Sequence, residues 1–138
     1  IQIEEPIVLQ HTTVTNNDGT GIRVGDPNAT VVLQNSIIAN NTATDCDLAS
    51  HTILLKGERN LIRDSSCPFV APAANLLNTE PLLGTLQINH GDTATNALLP
   101  GSPAIDAATN VFCTPTDQRG PARPQGPGCD IGAFEAAP

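Results

Sequence analysis

The sequence predicts an all-β chain, a right-handed parallel β-helix of about three rungs closed by an irregular, Pro/Gly-rich, disulfide-tied C-terminal cap. Three observations predict it. A ten-residue phrase occurs twice, Val8–Asn17 (VLQHTTVTNN) and Val32–Asn41 (VLQNSIIANN), displaced by 24 residues. The residues inside the phrase are Val, Ile, Leu and Thr, which suit a pleated surface, and the Asn, Asp and Gly between them suit turns. Beyond Ser65 the repeat gives way to a stretch punctuated by proline and glycine.

Taken in order, residues 1–5 (Ile1-Gln2-Ile3-Glu4-Glu5) alternate apolar and polar and read as a short N-terminal strand. Residues 6–67 form the rungs. Apolar side chains alternate from Thr30 to Leu33, the phase shifts at Asn35-Ser36, and alternation resumes at Ile38, as two strands joined by a bend require. A third short strand is expected at Gly21–Val24, with Asp45–Leu48 as its equivalent one rung later. A weaker third copy places Leu55, Leu61, Ile62 and Asp64 24 residues after Val31, Ile37, Ile38 and Asn40. The interior columns are then Ile7/Val31/Leu55, Leu9/Leu33, Val14/Ile38/Ile62, Ile22/Cys46/Val70 and Asn16/Asn40/Asp64. The last is read as an amide ladder between rungs rather than a row of cation ligands.

Residues 68–138 complete the single domain as an irregular wrap and cap. Pro68, Pro72, Pro81, Pro100 and Pro103 interrupt the leucine pairs Leu76-Leu77, Leu82-Leu83 and Leu98-Leu99, so regular inner sheet is not expected. The leucines still require burial, and the wrap is expected to lie on the last rung.

The four cysteines, Cys46, Cys67, Cys113 and Cys129, are even in number and lack the close pairs of a metal site. They imply disulfides and an oxidising, extracytoplasmic compartment. Three pairings are possible. Cys46–Cys67 and Cys113–Cys129 are favoured because the first ties the second rung to the loop of the third and the second closes a Pro/Gly-rich loop. Each is worth about 3 kcal/mol if geometry permits. The sequence contains no methionine, from which removal of a signal peptide or a longer N-terminal region is expected.

Composition narrows the function. The formal net charge of -8 disfavours nucleic acid and anionic membrane, and no apolar run is long enough for membrane insertion. Aromatic content of 2% leaves little for stacking on sugar rings or bases. His11, His51 and His90 share no spacing, and neither a metal nor another cofactor is implied.

Several blocks near the C-terminus carry a resemblance: Pro81–Gly84, Leu98–Asp106 (LLPGSPAID), Asp117–Gly120 with Arg123-Pro124, and Cys129–Glu135 (CDIGAFE). In this order they resemble the C-terminal part of bacterial β-helix surface proteins described as choice-of-anchor Q domain proteins. Asn89-His90-Gly91-Asp92 departs from the Asn-Gly-Gly-Pro turn more usual there. The resemblance implies a secreted or surface-displayed protein and no general catalytic residue.

The polar residues of the cap, Asp106, Asp117, Arg119, Asp130 and Glu135, could be drawn as a paired-carboxylate site. Among Pro, Gly and Cys, however, Asp caps turns and Arg holds carboxylates or loop carbonyls. A structural role is assigned to Asp106, Asp117, Arg119 and Asp130, with Arg119 on Asp106 or Asp130, and no catalytic residue is assigned. The function expected is a non-catalytic extracellular or cell-surface structural protein. It self-associates head to tail into a fibre, or serves as an adhesive stalk segment, through Ile1, Ile3, Ile7 and Leu9 at an open first rung. The alternatives are a carbohydrate-active β-helix, whether polysaccharide lyase or hydrolase, and a passive module binding surface glycans.

Overall fold

A computed structural model of the chain describes residues 6–48, 56–68 and 74–138. Ile1, Ile3, His51, Leu55 and Val70, and with them the N-terminal strand, lie outside the described residues. The described chain is nearly all-β: its one helical element is a 3-10 turn at Asn110–Phe112.

The 24-residue displacement becomes hydrogen-bond register. Strand β1 (Ile7–Gln10) pairs in parallel with β4 (Val31–Gln34), Ile7 beside Val31 and Gln10 beside Gln34. Strand β2 (Thr13–Thr15) pairs with β5 (Ile37–Ala39), and β3 (Ile22–Val24) with β6 (Cys46–Leu48), again in parallel. The third repeat adds β7 (Lys56–Glu58) beside β4 and β8 (Leu61–Ile62) beside β5. With β9 (Leu76–Leu77), three parallel sheets result, ordered β1-β4-β7, β2-β5-β8-β9 and β3-β6. Their fourth-repeat member, β9, sets Leu76 beside Leu61. The leucine pair expected to leave the inner sheet therefore extends it.

A polar corner joins the first two sheets. The residue that opens the bend has left-handed φ in every repeat: His11 at 45°, Asn35 at 51°, Arg59 at 55° and Ala74 at 33°. The next residue, Thr12, Ser36, Asn60 or Asn75, stacks with its equivalents. The Thr12 N–H donates to Ser36 Oγ at 3.2 Å, the Ser36 N–H to Asn60 Oδ1 at 2.9 Å, and the Asn60 N–H to Asn75 Oδ1 at 2.8 Å. Asn60 Nδ2 and Asn75 Nδ2 reach back to the carbonyls of Leu33 and Gly57. Backbone donors and acceptors that the bend removes from the sheet are thus satisfied by side chains of the following repeat.

The expected ladder at Asn16/Asn40/Asp64 is displaced by one residue. Asn16 and Asn40 take left-handed φ, 56° and 60°, and form the bend itself. The inter-repeat bonds run from Asn17 N–H and Nδ2 to Asn41 Oδ1, at 3.1 and 2.8 Å. Asp64 instead accepts from the Asp45 N–H at 3.0 Å.

Strand β5 is buried on both faces. Ile38 joins Val24, Val31, Leu33, Cys46, Ile62 and Cys67 in the core shared by the three sheets. Ile37 and Ala39 point the other way and join Leu61, Leu98, Ala104 and Ile131 in a second core. That second core is made by the C-terminal segment, which begins with an antiparallel hairpin of β10 (Leu83–Ile88) and β11 (Ala94–Leu98). The segment covers the outer flank of the β2-β5-β8-β9 sheet and runs back to the first repeat, rather than sitting on the last one as expected. The physical reason is the apolar outer face of β5 and β8, where burial of each large side chain is worth about 1.5–3 kcal/mol. Among the expected interior columns, Val31 is 2% exposed but its partner Ile7 is 55% exposed, because β1 ends its sheet among the described residues.

Two substitutions test this construction. Asn60→Ala leaves the Ser36 N–H without its partner and removes the side-chain donor at the Leu33 carbonyl, and is expected to cost about 1–3 kcal/mol in denaturant unfolding. Gly132→Ala brings a Cβ within 2.8 Å of Ile37 Cδ1 and Thr13 Oγ1 at φ +98°. It is expected to cost about 1–3 kcal/mol and to detach the cover first, which hydrogen exchange at Ala104 and Ile131 reports.

Candidate functional site

The cover is held by two buried ion pairs. Asp117 Oδ2 accepts from Arg119 Nε at 2.9 Å and Nη2 at 2.6 Å, while its Oδ1 accepts the Arg119 and Gly120 N–H groups. Arg119 also donates to the Glu135 carbonyl at 2.6 Å and lies 3.6 Å above the Phe134 ring. The expected partner of Arg119, Asp106 or Asp130, is therefore replaced by Asp117. A carboxylate two residues away, within a turn closed by the Gly120 N–H, wins over more distant ones. Asp130 accepts the N–H groups of Asp106, at 2.7 Å, and Ala136, at 2.6 Å. Asp106 in turn accepts the Gly128 N–H at 3.0 Å.

The second pair, Arg123 with Glu135 at 2.7 Å, has both side chains at 0% exposure. Arg123 also donates to the carbonyls of Asp130 and Gly132, and Glu135 accepts the N–H groups of Gln125 and Asp130. Sequence reasoning assigned this pair no role. Its only sequence signal is that both residues stand inside the resemblance blocks.

Burial opposes the ionised form throughout. It acts to raise Asp117, but the Arg119 guanidinium and the Glu135 and Arg119 N–H groups outweigh it and hold that carboxyl below its ordinary value. Asp130 is raised by burial, against the N–H bonds from Ala136 and Asp106. Burial lowers Arg123, opposed by the charge of Glu135.

Both disulfides follow the favoured pairing, Cys46–Cys67 and Cys113–Cys129, with Cα–Cα separations of 5.0 and 6.2 Å. No group of three or more His, Cys, Asp or Glu able to hold a metal occurs among the described residues. His90 is exposed and His11 is buried.

His11 marks the seam where the cover meets the first two repeats. The Ala133 N–H donates to Thr13 Oγ1 at 3.0 Å, and the Gly132 N–H to the Asn35 carbonyl at 2.7 Å. Asn35 grips Thr109 through both amide atoms, accepting at 2.9 Å and donating at 3.0 Å. Its Nδ2 also stands 3.1 Å from His11 Nε2. His11 Nε2 also lies 3.2 Å from the Phe112 carbonyl, so it faces an amide group and a carbonyl acceptor at once. Beside the ring a cleft of about 350 Å³ opens, lined by Gln10, Thr12, Thr116, Gln118, His11 and Arg123 among others. Two buried polar atoms here have no partner, His11 Nδ1 and Arg123 Nε. Burial, followed by the positive charge of Arg123, lowers His11 to about 4 from 6.5.

Comparisons with family models, with curated proteins and with solved structures return no match.

Because the folded His11 titrates below its unfolded value, the unfolded chain binds the extra proton first on acidification. The stability due to neutral His11 is complete above pH 6.5, falls as pH drops from 6.5 toward 4, and changes no further below that. The loss is expected to reach about 3 kcal/mol in wild type and to vanish from that window in His11→Gln, read by denaturant midpoints across the range. Glu135→Gln strands the Arg123 charge in the interior and is expected to cost about 3–5 kcal/mol, measured the same way.

Proposed function

We propose that the 24-residue repeats are rungs of a right-handed parallel β-helix, and that the chain is a non-catalytic structural segment of an extracytoplasmic protein that stacks end to end. The observation that carries this reading is the first repeat. Strand β1 pairs with β4 on one edge, while Ile7 and Val8 are 55% and 50% exposed. An apolar strand edge of this kind is a template for adding a further strand, and a second copy supplies one in the same 24-residue register. A head-to-tail contact between unlike ends propagates into a filament when it does not close.

Two further observations support the structural part of the reading. The carboxylates of Asp106, Asp117, Asp130 and Glu135 each accept backbone N–H bonds, so the acidic residues of the cover organise its turns. The two disulfides fit an oxidising compartment. Affiliation with the choice-of-anchor Q surface proteins is part of this proposal and rests on the sequence blocks alone.

The test is sedimentation over a range of concentrations, with electron microscopy of undenatured material. Filaments with an axial repeat of roughly 4.8 Å per rung are expected, and Val8→Pro, which removes a donor from the exposed edge strand, is expected to return them to soluble monomers. Monomers of the wild-type chain at every concentration, or filaments indifferent to both Val8→Pro and deletion of residues 1–5, would falsify end-to-end stacking.

A further inference from the structure

The polar corner between the first two sheets presents unlike groups at its two ends. In each repeat the corner residue makes two bonds to the repeat that follows. Its N–H donates to the next corner side chain, Thr12 to Ser36, Ser36 to Asn60 and Asn60 to Asn75. Its carbonyl accepts the N–H one residue beyond that side chain, so that Thr12 accepts from Ile37, Ser36 from Leu61 and Asn60 from Leu76. At Asn75 the series stops: among the described residues neither its N–H nor its carbonyl has a partner.

The first repeat carries the complement. The Thr12 hydroxyl donates to the Gln10 carbonyl at 3.1 Å, as the Ser36 hydroxyl donates to the Gln34 carbonyl at 2.9 Å. Ser36 Oγ, with its proton so directed, accepts the Thr12 N–H, and Thr12 Oγ1 is posed to accept the same bond from a preceding corner. The Thr13 N–H occupies the place of the Ile37, Leu61 and Leu76 N–H groups, each held by the carbonyl of the corner before it. The second sheet matches in its side chains too. Its inner column runs Val14, Ile38, Ile62, Leu77, with the middle pair fully buried and Leu77 43% exposed at the end. Thr12–Val14 and Asn75–Leu77 bear no charged side chain, so the net charge of -8 puts no like charges face to face there.

Resting on end-to-end stacking as the mode of assembly, we infer that the first repeat of one copy docks on the fourth repeat of another through the corner and the second sheet. The Asn75 N–H of one copy donates to Thr12 Oγ1 of the next, and the Thr13 N–H of the next donates to the Asn75 carbonyl. Strand β9 pairs in parallel with β2 of the second copy, Leu76 beside Thr13 and Leu77 beside Val14, which continues the register of β2-β5-β8-β9. The two surfaces differ, so each copy keeps one of each free and the contact propagates.

The experiment combines sedimentation over a range of concentrations with amide hydrogen exchange of dilute and assembled chain. Assembly is expected to slow exchange at Thr13, Asn75 and Leu77 and to leave Leu86 and Ile88 of β10 unchanged. Thr12→Val removes the acceptor at nearly constant shape and is expected to weaken association roughly 10-fold with the monomer still folded, whereas Thr12→Ser keeps it. Leu77→Lys sets a charge on the exposed end of the column and should block assembly without unfolding the monomer. Assemblies that gain no protection at Thr13 and Asn75, or that ignore both Thr12→Val and Leu77→Lys, overturn this junction while leaving stacking through another contact. Monomers at every concentration overturn the junction and the stacking together.

Discussion

The rest of the structure depends on the polar corner at Thr12, Ser36, Asn60 and Asn75. A chain that leaves one sheet and enters the next must rotate its pleat, and a left-handed residue in each repeat performs that rotation. It leaves backbone groups that neither sheet can satisfy. Supplying their partners from the following repeat locks adjacent repeats together at the point where register could slip. Buried Asn60, with 0% exposure, is therefore fully occupied rather than costly.

The corner also decides where apolar side chains go. After it, Ile37 faces outward and Ile38 inward, so the second sheet acquires two apolar faces. One is buried by the repeats themselves. The other calls for the C-terminal segment, whose Leu98, Ala104 and Ile131 occupy it. The cover is mostly irregular, and two ion pairs replace the missing ladder bonds by gathering loop carbonyls and N–H groups around Arg119, Arg123, Asp117 and Glu135. Where this network meets the corner, at His11 and Asn35, the fit is incomplete, and two buried nitrogens, His11 Nδ1 and Arg123 Nε, keep no partner.

Much of this was legible. The 24-residue displacement is the ladder register of β1 with β4, β2 with β5 and β3 with β6, and both favoured disulfides form. The amide ladder was misplaced by one residue because Asn16 and Asn40 look identical to Asn17 and Asn41 until the backbone shows which takes left-handed φ. The last strand of the parallel sheet, β9, was missed because its offset falls from 24 to 15 residues, so Leu76 carries no trace of the earlier period. Arg119 was assigned to distant carboxylates when the tight turn at Asp117 already supplied one.

By itself the sequence determined the all-β class and the register of the repeats, which rest on local periodicity, and favoured one of three cysteine pairings. Only the tertiary structure decided that the C-terminal segment lies along the flank, that Arg123 pairs with Glu135, and that His11 and Arg123 line one cleft. These contacts join residues up to 120 positions apart, as Ala133 to Thr13, and no spacing encodes them. They arise because the outer face of β5 must be buried, and the segment that buries it brings its charges to the first repeat.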